Sequence, residues 1–112
     1  MIIVLVLGCS EKMKTPYDFD WDRIKARSNL KKHDISFERA TGIFRDPNLL
    51  SIPDVEHSEN EERWITMGID GNGVILVVCH TFEILESSRN KIRVISARKA
   101  TRKEVEKYEE GI

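Results

Sequence analysis

Cysteine is scarce in this sequence. Its 112 residues include only two, Cys9 and Cys79, and both lie in apolar stretches far apart along the chain. This arrangement is typical of reduced core cysteines in a cytosolic protein, and it offers no spacing for a metal or redox motif. Disulfide-stapled scaffolds and zinc modules are therefore excluded. A chain of this length, with 40% hydrophobic residues, can build the core of one domain without such staples.

An excess of charge of one sign is missing as well. The 18 Lys and Arg residues nearly balance the 19 Asp and Glu residues, so the net charge is −1 and the pI is about 6.3. This balance excludes a uniformly basic nucleic-acid coat and an acidic tail. It still allows positive and negative charge to be segregated locally.

Long apolar runs are absent too. The run at residues 2–7 is far shorter than the roughly 20 residues that a membrane-spanning helix needs, and no Lys or Arg precedes it as in a secretory signal. No membrane association is expected. We interpret residues 1–12 as a start-site extension ahead of Met13, with a genuine strand or a signal as the alternatives. Residues 13–112 are then a single domain.

Motifs for cofactors and activated nucleophiles are not found. The chain has no Gly-x-Ser-x-Gly, no phosphate-binding loop and no dinucleotide-binding glycine pattern. Its three histidines do not share the spacing of metal ligands, so we expect neither a metal site nor a cofactor. Any chemistry must come from Arg, Lys, His, Glu and Tyr side chains.

The apolar pattern predicts an α+β fold. Aromatic and acidic residues alternate from Tyr17 to Trp21, which favours a strand, and Asp22 and Ser36 are typical N-caps for two helices that follow. The remaining predicted elements are strands at 49–52, 64–69, 74–82 and 91–97, a polar loop at 83–90, and a helix opened by the capping box Thr101–Glu104. The order β-α-α-β-β-β-β-α indicates two N-terminal helices packed on a largely antiparallel sheet of four to five strands, with a C-terminal helix.

Positive charge is concentrated between Arg89 and Lys103. This segment contains seven basic residues and no acidic one. Lys91 and Arg93 share one face of the predicted strand, and the residues after them lie beside the positive N-terminus of the last helix. Such a surface can bind phosphate. The alternative is a solvated face whose charge is neutralised within the fold by the glutamates at 104–110.

Each histidine has two interpretations. His80 continues the apolar face of Leu76 and Val78, which favours a buried, hydrogen-bonded histidine over a catalytic one. His57 lies among glutamates, which favour its protonated form, and a protonated histidine there suits either a surface pH-sensitive contact or a general acid. His33 ends a basic helix, where histidines commonly have a capping role.

Arg, Lys and His side chains together can cleave RNA without a cofactor. A base takes the proton of the 2′-hydroxyl, which attacks the adjacent phosphate, and an acid protonates the leaving oxygen. Cations stabilise the charge that develops on the phosphate. The composition permits this reaction but does not require it.

Several motifs, in order, resemble those of the BrnT-type ribonuclease toxins. They are Phe19-Asp20-Trp21-Asp22, Lys25 to His33, Ser36-Phe37-Glu38 with Ala40, Phe44 with Asp46-Pro47, Glu61-Glu62-Arg63-Trp64, Val77-Val78 with His80-Thr81, and Ile92 to Ala100. The resemblance covers about residues 17–110, and its last run is the most specific. The sequence departs from the family at Asp34, where glycine is usual and an αL-like turn is expected, and at the loop 83–90, which is longer than usual.

The resemblance implies a RelE-like fold, metal-independent RNA cleavage that inhibits translation, and neutralisation by a BrnA-like antitoxin. In that family the antitoxin carries a ribbon-helix-helix domain, through which the pair binds operator DNA. On the matching motifs, Arg63, Arg93 and Arg98 are expected to bind the scissile phosphate, and His57 or His80 is the acid or base. Further RNA-binding residues are expected at Lys32, His33, Lys91 and Lys99.

Two other functions compete with an active ribonuclease. The helices at 22–33 and 36–45 can imitate a helix-turn-helix module, although the second carries few charges for reading a DNA groove. The other is a degenerate toxin that is retained as a non-catalytic, antitoxin-binding regulatory subunit. Only a test of activity separates that role from an active toxin.

Overall fold

The computed structural model describes residues 17–57, 62–86 and 89–111. Its elements in chain order are β1 (Tyr17–Trp21), α1 (Arg23–His33), α2 (Phe37–Ala40), a 3₁₀ segment (Thr41–Arg45), β2 (Leu50–Pro53), a second 3₁₀ segment (Val55–His57), β3 (Arg63–Ile69), β4 (Ile75–Glu86), β5 (Arg89–Lys99) and α3 (Arg102–Glu110). The proposed extension at 1–12 and the start at Met13 lie outside the described residues.

All five strands form one sheet, in the order β1-β5-β4-β3-β2. Strand β1 runs parallel to β5, and the other three pairings are antiparallel. The α+β class is confirmed, with three helices and a five-stranded mixed sheet among the described residues. The arrangement with two helices first is not confirmed, because β1 precedes them and belongs to the sheet.

The core lies between one face of the sheet and the layer formed by α1, α2 and the first 3₁₀ segment. Ile35, Phe37 and Ile43 of that layer are fully buried. They pack against alternate residues of β4 and β5, such as Leu76 and Ile92, because successive strand side chains point to opposite faces. The residues of β4 and β5 that alternate with these point to the opposite face of the sheet.

Local turn and cap chemistry follows the sequence. The Asp22 carboxylate accepts the Lys25 amide at 3.2 Å, and the Ser36 hydroxyl accepts the Arg39 amide at 3.0 Å, so both predicted N-caps are confirmed. Asp34 ends α1 in the left-handed region, with φ 61° and ψ 31°. The predicted αL-like turn is therefore present without a glycine.

The second helix is shorter than predicted. Instead of running from 36 to 45, α2 has four residues and continues as the 3₁₀ segment. Thr41 and Gly42 are poor helix formers, and the Thr41 hydroxyl donates to the Glu38 carbonyl at 2.7 Å. Because Phe37 and Ala40 are buried, this turn cannot serve as a recognition helix. None of the helices in the described ranges is long and apolar enough to span a membrane.

The predicted polar loop at 83–90 is wrong. Strand β4 runs to Glu86 and β5 begins at Arg89, so most of the segment is paired strand. Its polar composition reflects a hairpin that projects beyond the core. Opposite charges face each other across this hairpin at Glu83 and Lys91, which favours strand pairing without burial.

Helix α1 lies against the edge of β5 where β1 ends. Trp21, the last residue of β1, pairs with Val94, so none of the described strands neighbours β5 on that side beyond this point. Asn29 takes the place of a strand partner. Its side-chain NH₂ donates to the Ala97 carbonyl at 2.8 Å, and its side-chain oxygen accepts from the Ala97 amide at 3.1 Å. The side chain of Asn29 also donates to the Ile35 carbonyl at 3.0 Å. The middle of α1 is thereby fixed beside the last residues of β5.

Candidate functional site

The face of the sheet opposite the helix layer, which we call the open face, contains a cleft of about 320 Å³. Its walls come from β3, β4 and β5 and from the residue that follows β2. The lining residues are Asp54, Arg63, Ile65, Val77, Cys79, Ile95, Ser96 and Arg98. The cleft is apolar at its floor and carries two arginines and one carboxylate.

Strand register brings these residues together. Ile65 pairs with Cys79, and Cys79 pairs with Ser96, so three neighbouring strands contribute side chains to one level of the open face. A register shift in the β4–β5 ladder leaves Ile95 without a partner, and therefore both Ile95 and Ser96 line the cleft.

Asp54 and Arg63 lie side by side at the ends of β2 and β3. The Asp54 amide donates to the Arg63 carbonyl at 2.8 Å, which extends the β2–β3 ladder by one bond. Both side chains line the cleft. A carboxylate that can accept a proton and a cation that can bind phosphate are thus adjacent.

Glu104 binds the guanidinium of Arg98 end-on, through its two terminal nitrogens. Nη1 and Nη2 of Arg98 donate to the two carboxylate oxygens of Glu104, each at 2.9 Å, and Nη1 also donates to the Lys99 carbonyl at 3.2 Å. These bonds lower the pKa of Glu104 to about 2 and raise that of Arg98. Glu104 also completes the predicted capping box with Thr101, which is confirmed. The orientation of Arg98 is therefore set by the start of α3.

Cys79 is a half-buried thiol in the wall of the cleft. Its Sγ lies 3.9 Å from Oδ2 of Asp54. Burial raises the pKa of the Cys79 thiol, the Asp54 carboxylate adds to this rise, and the charges of Arg63 and Lys25 oppose it. The thiol therefore stays protonated near neutral pH. Because the charge of Lys25 acts on the pKa of this thiol, Lys25 of α1 lies near this part of the cleft.

Lys91 and Arg93 share the open face, as predicted, but they lie towards β1 and do not line the cleft. Asp20 of β1 is 3.6 Å from the Lys91 ammonium and 3.5 Å from the Arg93 guanidinium. The next acidic residue of β1, Asp18, pairs with Arg89. The basic segment is thus partly neutralised by a strand from the other end of the chain.

His80 lies on the covered face. It is only 3% exposed, and its ring contacts Phe44 edge-on at 5.0 Å. Nδ1 donates to the Thr81 carbonyl at 3.0 Å, and Nε2 is 2.6 Å from the Thr66 hydroxyl. Burial lowers its pKa to about 4. His80 is therefore a buried histidine with both ring nitrogens hydrogen-bonded, as the apolar pattern of β4 favoured. Its position on the covered face does not favour a role as general acid or base in the cleft.

The other predicted residues are spread around the cleft. His57 ends the 3₁₀ segment that follows Asp54, and its side chain lies outside what the structure describes. Lys32 and His33 are exposed at the end of α1, and Lys99 is exposed at the end of β5. Of the predicted phosphate-binding arginines, the structure brings Arg63 and Arg98 into the cleft.

Sequence reasoning missed Asp54, Cys79 and Ser96. Once Val77 and Arg98 are paired, alternation along β4 and β5 places Cys79 and Ser96 beside them. That signal depends on the register, which the sequence alone did not supply. Across the described parts of the chain, no group of three or more His, Cys, Asp or Glu side chains is arranged to hold a metal ion.

Comparison with known proteins identifies a matching family and a similar solved structure. A family model described as "Ribonuclease toxin, BrnT, of type II toxin-antitoxin system" matches residues 21–104. Among solved structures, the chain is similar to the 1.1 Å-resolution crystal structure of the Brucella abortus ribonuclease toxin, BrnT, with a TM-score of 0.53 and 20% identity over 76% of this chain and 100% of that one. At that identity, the structural similarity shows the fold alone. No curated protein matches the sequence.

Proposed function

We propose, from the premise that this chain belongs to the BrnT family of ribonuclease toxins of type II toxin–antitoxin systems, that it cleaves RNA in the cleft of the open face. The observation that carries this proposal is the placement of Arg63, Arg98 and Asp54 around one cleft. Two cations next to a carboxylate provide the charges that phosphodiester cleavage needs.

Arg98 is suited to bind the scissile phosphate even while it is paired. Glu104 and the Lys99 carbonyl use both hydrogens of Nη1 and one of Nη2. The Nε hydrogen and the second Nη2 hydrogen lie along one edge of the guanidinium and have no partner among the described residues. This edge can donate two parallel hydrogen bonds to two phosphate oxygens.

The proposed reaction needs no cofactor to balance. The 2′-hydroxyl loses its proton to a base and its oxygen forms a bond to phosphorus. The bond from phosphorus to the 5′-oxygen breaks as that oxygen takes up a proton from the protonated base or from water, and a cyclic 2′,3′-phosphate and a 5′-hydroxyl result. Two groups are candidates to take the 2′-proton: Asp54, which lines the cleft, and His57, which follows it by three residues in the sequence. Arg63 and Arg98 would stabilise the charge on the non-bridging oxygens.

Membership of a type II family implies an antitoxin partner. Our proposal adds that this antitoxin is a ribbon-helix-helix protein, that operator DNA is bound only through it, and that RNA cleavage inhibits translation in the cytoplasm. A pair of this kind is purified as a complex, and the toxin is released from it for assay. We also propose that the fold is RelE-like.

The direct test is cleavage of a labelled RNA by the purified chain, with and without EDTA. We expect cleavage that EDTA does not abolish and products that carry cyclic phosphate ends by mass spectrometry. Arg98→Ala should be inactive, whereas Arg45→Ala, which removes an exposed arginine outside the cleft, should be active. Loss of cleavage with EDTA would overturn the metal-independent mechanism.

Expression in bacteria tests the biological role. Induction of the wild-type chain should arrest growth and degrade RNA, and co-expression of the antitoxin should restore growth. A soluble, folded wild-type chain that neither arrests growth nor cleaves RNA would instead support the degenerate, antitoxin-binding subunit.

A further inference from the structure

Helix α1 carries positive charge that the fold leaves unpaired. Its Lys and Arg side chains are all exposed, and none forms an ion pair with residues 17–57, 62–86 or 89–111. These cations are Arg23, Lys25, Arg27, Lys31 and Lys32. No acidic residue lies within α1 to offset them.

The contact made by Asn29 defines which of these cations point towards the sheet edge. Asn29 bonds to Ala97 of β5, so its side of the helix is the one that meets the edge. Lys25 lies one turn before Asn29 on that side, and Lys32, seven residues after Lys25, shares the same face. Arg27 and Lys31 lie on roughly the opposite face of the helix.

This face of α1 adjoins the cleft. Ile95 and Ser96, which line the cleft, immediately precede the Ala97 that Asn29 holds. Helix α1 begins two residues after Trp21, which pairs with Val94, and reaches Ala97 at Asn29, so it runs in the same direction as β5 and Lys25 lies near the level of Ile95. The effect of the Lys25 charge on the Cys79 thiol agrees with this placement.

The two ends of the cleft differ in charge. Towards β1, the cations of the open face are paired with the carboxylates of Asp18 and Asp20, which are 43% and 42% exposed and weaken the attraction of those cations for a phosphate backbone. Towards α1, beyond the end of β1, the exposed side chains of Lys25 and Lys32 have no acidic partner among the described residues. An RNA strand that leaves the cleft is therefore favoured in the direction of α1.

We infer that Lys25 and Lys32 form a second RNA-binding surface, which receives the backbone of the strand after it leaves the cleft over the edge of β5. The two lysines are about 10 Å apart along the helix axis, so they would contact different phosphates of one strand. Lys32 was expected to bind RNA from the family resemblance, whereas Lys25 comes from the structure. The inference rests on the proposed function, since it takes the cleft as the place where the strand is held.

The test compares two double variants of equal charge change. Lys25→Gln/Lys32→Gln removes the proposed surface, and Arg27→Gln/Lys31→Gln is the matched control on the other side of α1. Binding is measured for a ten-nucleotide 2′-O-methyl RNA, which cannot be cleaved, at several salt concentrations. We expect the first variant to bind about tenfold more weakly at low salt, and the slope of log K against log salt to fall by about 1.4 for the loss of two contacts.

The control should bind with nearly wild-type affinity and slope. A mononucleotide, which occupies only the cleft, should bind equally to both variants. Equal weakening by the two double variants would overturn the surface in favour of diffuse attraction, and unchanged binding by the first would overturn it outright. If the wild type binds RNA in this pattern but never cleaves it, the proposed function fails and the surface stands.

Discussion

Strand β5 and helix α1 are both basic, yet the fold treats their charges differently. On β5, Arg89, Lys91 and Arg93 face the carboxylates of β1, and Arg98 is held by Glu104. On α1, the exposed cations have no such partners among the described residues. The number of basic residues in a segment therefore does not determine its field, because a strand from a distant part of the sequence can neutralise it.

The pairs on β5 are exposed, and exposed ion pairs contribute about 0–1 kcal/mol each to stability. Their effect on function is larger, because a carboxylate beside a cation weakens its attraction for phosphate. This distinguishes three kinds of cation in one small protein. Some are neutralised by β1, one is oriented by Glu104, and some are unpaired on α1.

The largest expected effect is the difference in activity loss between variants of Arg98, which Glu104 orients, and of Arg93, which Asp20 neutralises on the same strand. Arg98→Ala should lower kcat/KM for RNA cleavage by about 10²- to 10³-fold, because it removes a donor to the scissile phosphate. Arg93→Ala should lower it only a few-fold, because Arg93 lies outside the cleft beside Asp20. Steady-state kinetics on one RNA would decide this. Equal losses in the two variants would place Arg93 in the site, as the family resemblance implies.

The second prediction concerns the covered face, where charge is not tolerated. The pKa of His80 is lowered from 6.5 to about 4 in the folded chain, so unfolding lets it take up a proton at intermediate pH. The stability it contributes is present above about pH 6.5 and is lost as the pH falls towards 4. From pH 7 to pH 5, the free energy of unfolding should fall by about 2 kcal/mol from this residue.

Urea unfolding of the wild type and of His80→Gln at both pH values measures this contribution. The variant should be less stable at pH 7, because the Thr66 and Thr81 hydrogen bonds are disturbed. Its stability should nevertheless change less between pH 7 and pH 5 than that of the wild type. A pH dependence as steep as that of the wild type would contradict the assignment.

The third prediction tests whether Glu104 orients Arg98 or competes with RNA for it. Glu104→Gln replaces one carboxylate oxygen with an amide NH₂, so Arg98 loses one of its two end-on hydrogen bonds and the negative charge that helps to fix its plane. If Glu104 is a positioning residue, kcat should fall about tenfold with little change in KM. A rise in activity would show that Glu104 instead restrains the toxin.

Thr101→Ala is the matched control for this variant. It removes the hydroxyl that caps α3 but leaves the Arg98–Glu104 pair in place. In both variants, the Tyr108 hydroxyl still donates to the Asp46 carboxylate, which attaches the far end of α3. A comparable loss of kcat in Thr101→Ala would assign the effect to the stability of the helix.

How much of this could be read from the sequence depends on how local each feature is. The caps at Asp22, Ser36 and Thr101 and the turn at Asp34 were predictable, because each depends on residues within one turn. The shared face of Lys91 and Arg93 followed from alternation along one strand. Their neutralisation did not, since it depends on a parallel pairing between the two ends of the chain.

The cleft shows the same limit. Arg63 and Arg98 were expected from family motifs, but their convergence requires the β3–β4–β5 register and the irregularity at Ile95. The position of His80 was predictable in part, because the spacing of Leu76 and Val78 indicated a covered face. The role of α1 at the sheet edge had no signal in its own composition, because it depends on Asn29 replacing a strand partner.

The smallest expected effect comes from removing the carboxylates that neutralise β5, so that its cations become unpaired like those of α1. Asp18→Asn/Asp20→Asn removes the carboxylates beside Arg89, Lys91 and Arg93 and leaves the cleft unchanged. The affinity for uncleavable RNA should rise a few-fold at low salt, and the gain should vanish at high salt as the charges are screened. Glu38→Gln/Glu109→Gln, which removes two exposed carboxylates outside these pairs and outside α1, is the control. Unchanged affinity in the double variant would mean that the cations of β5 do not contact RNA even when they are released, and that α1 alone supplies the electrostatic attraction outside the cleft.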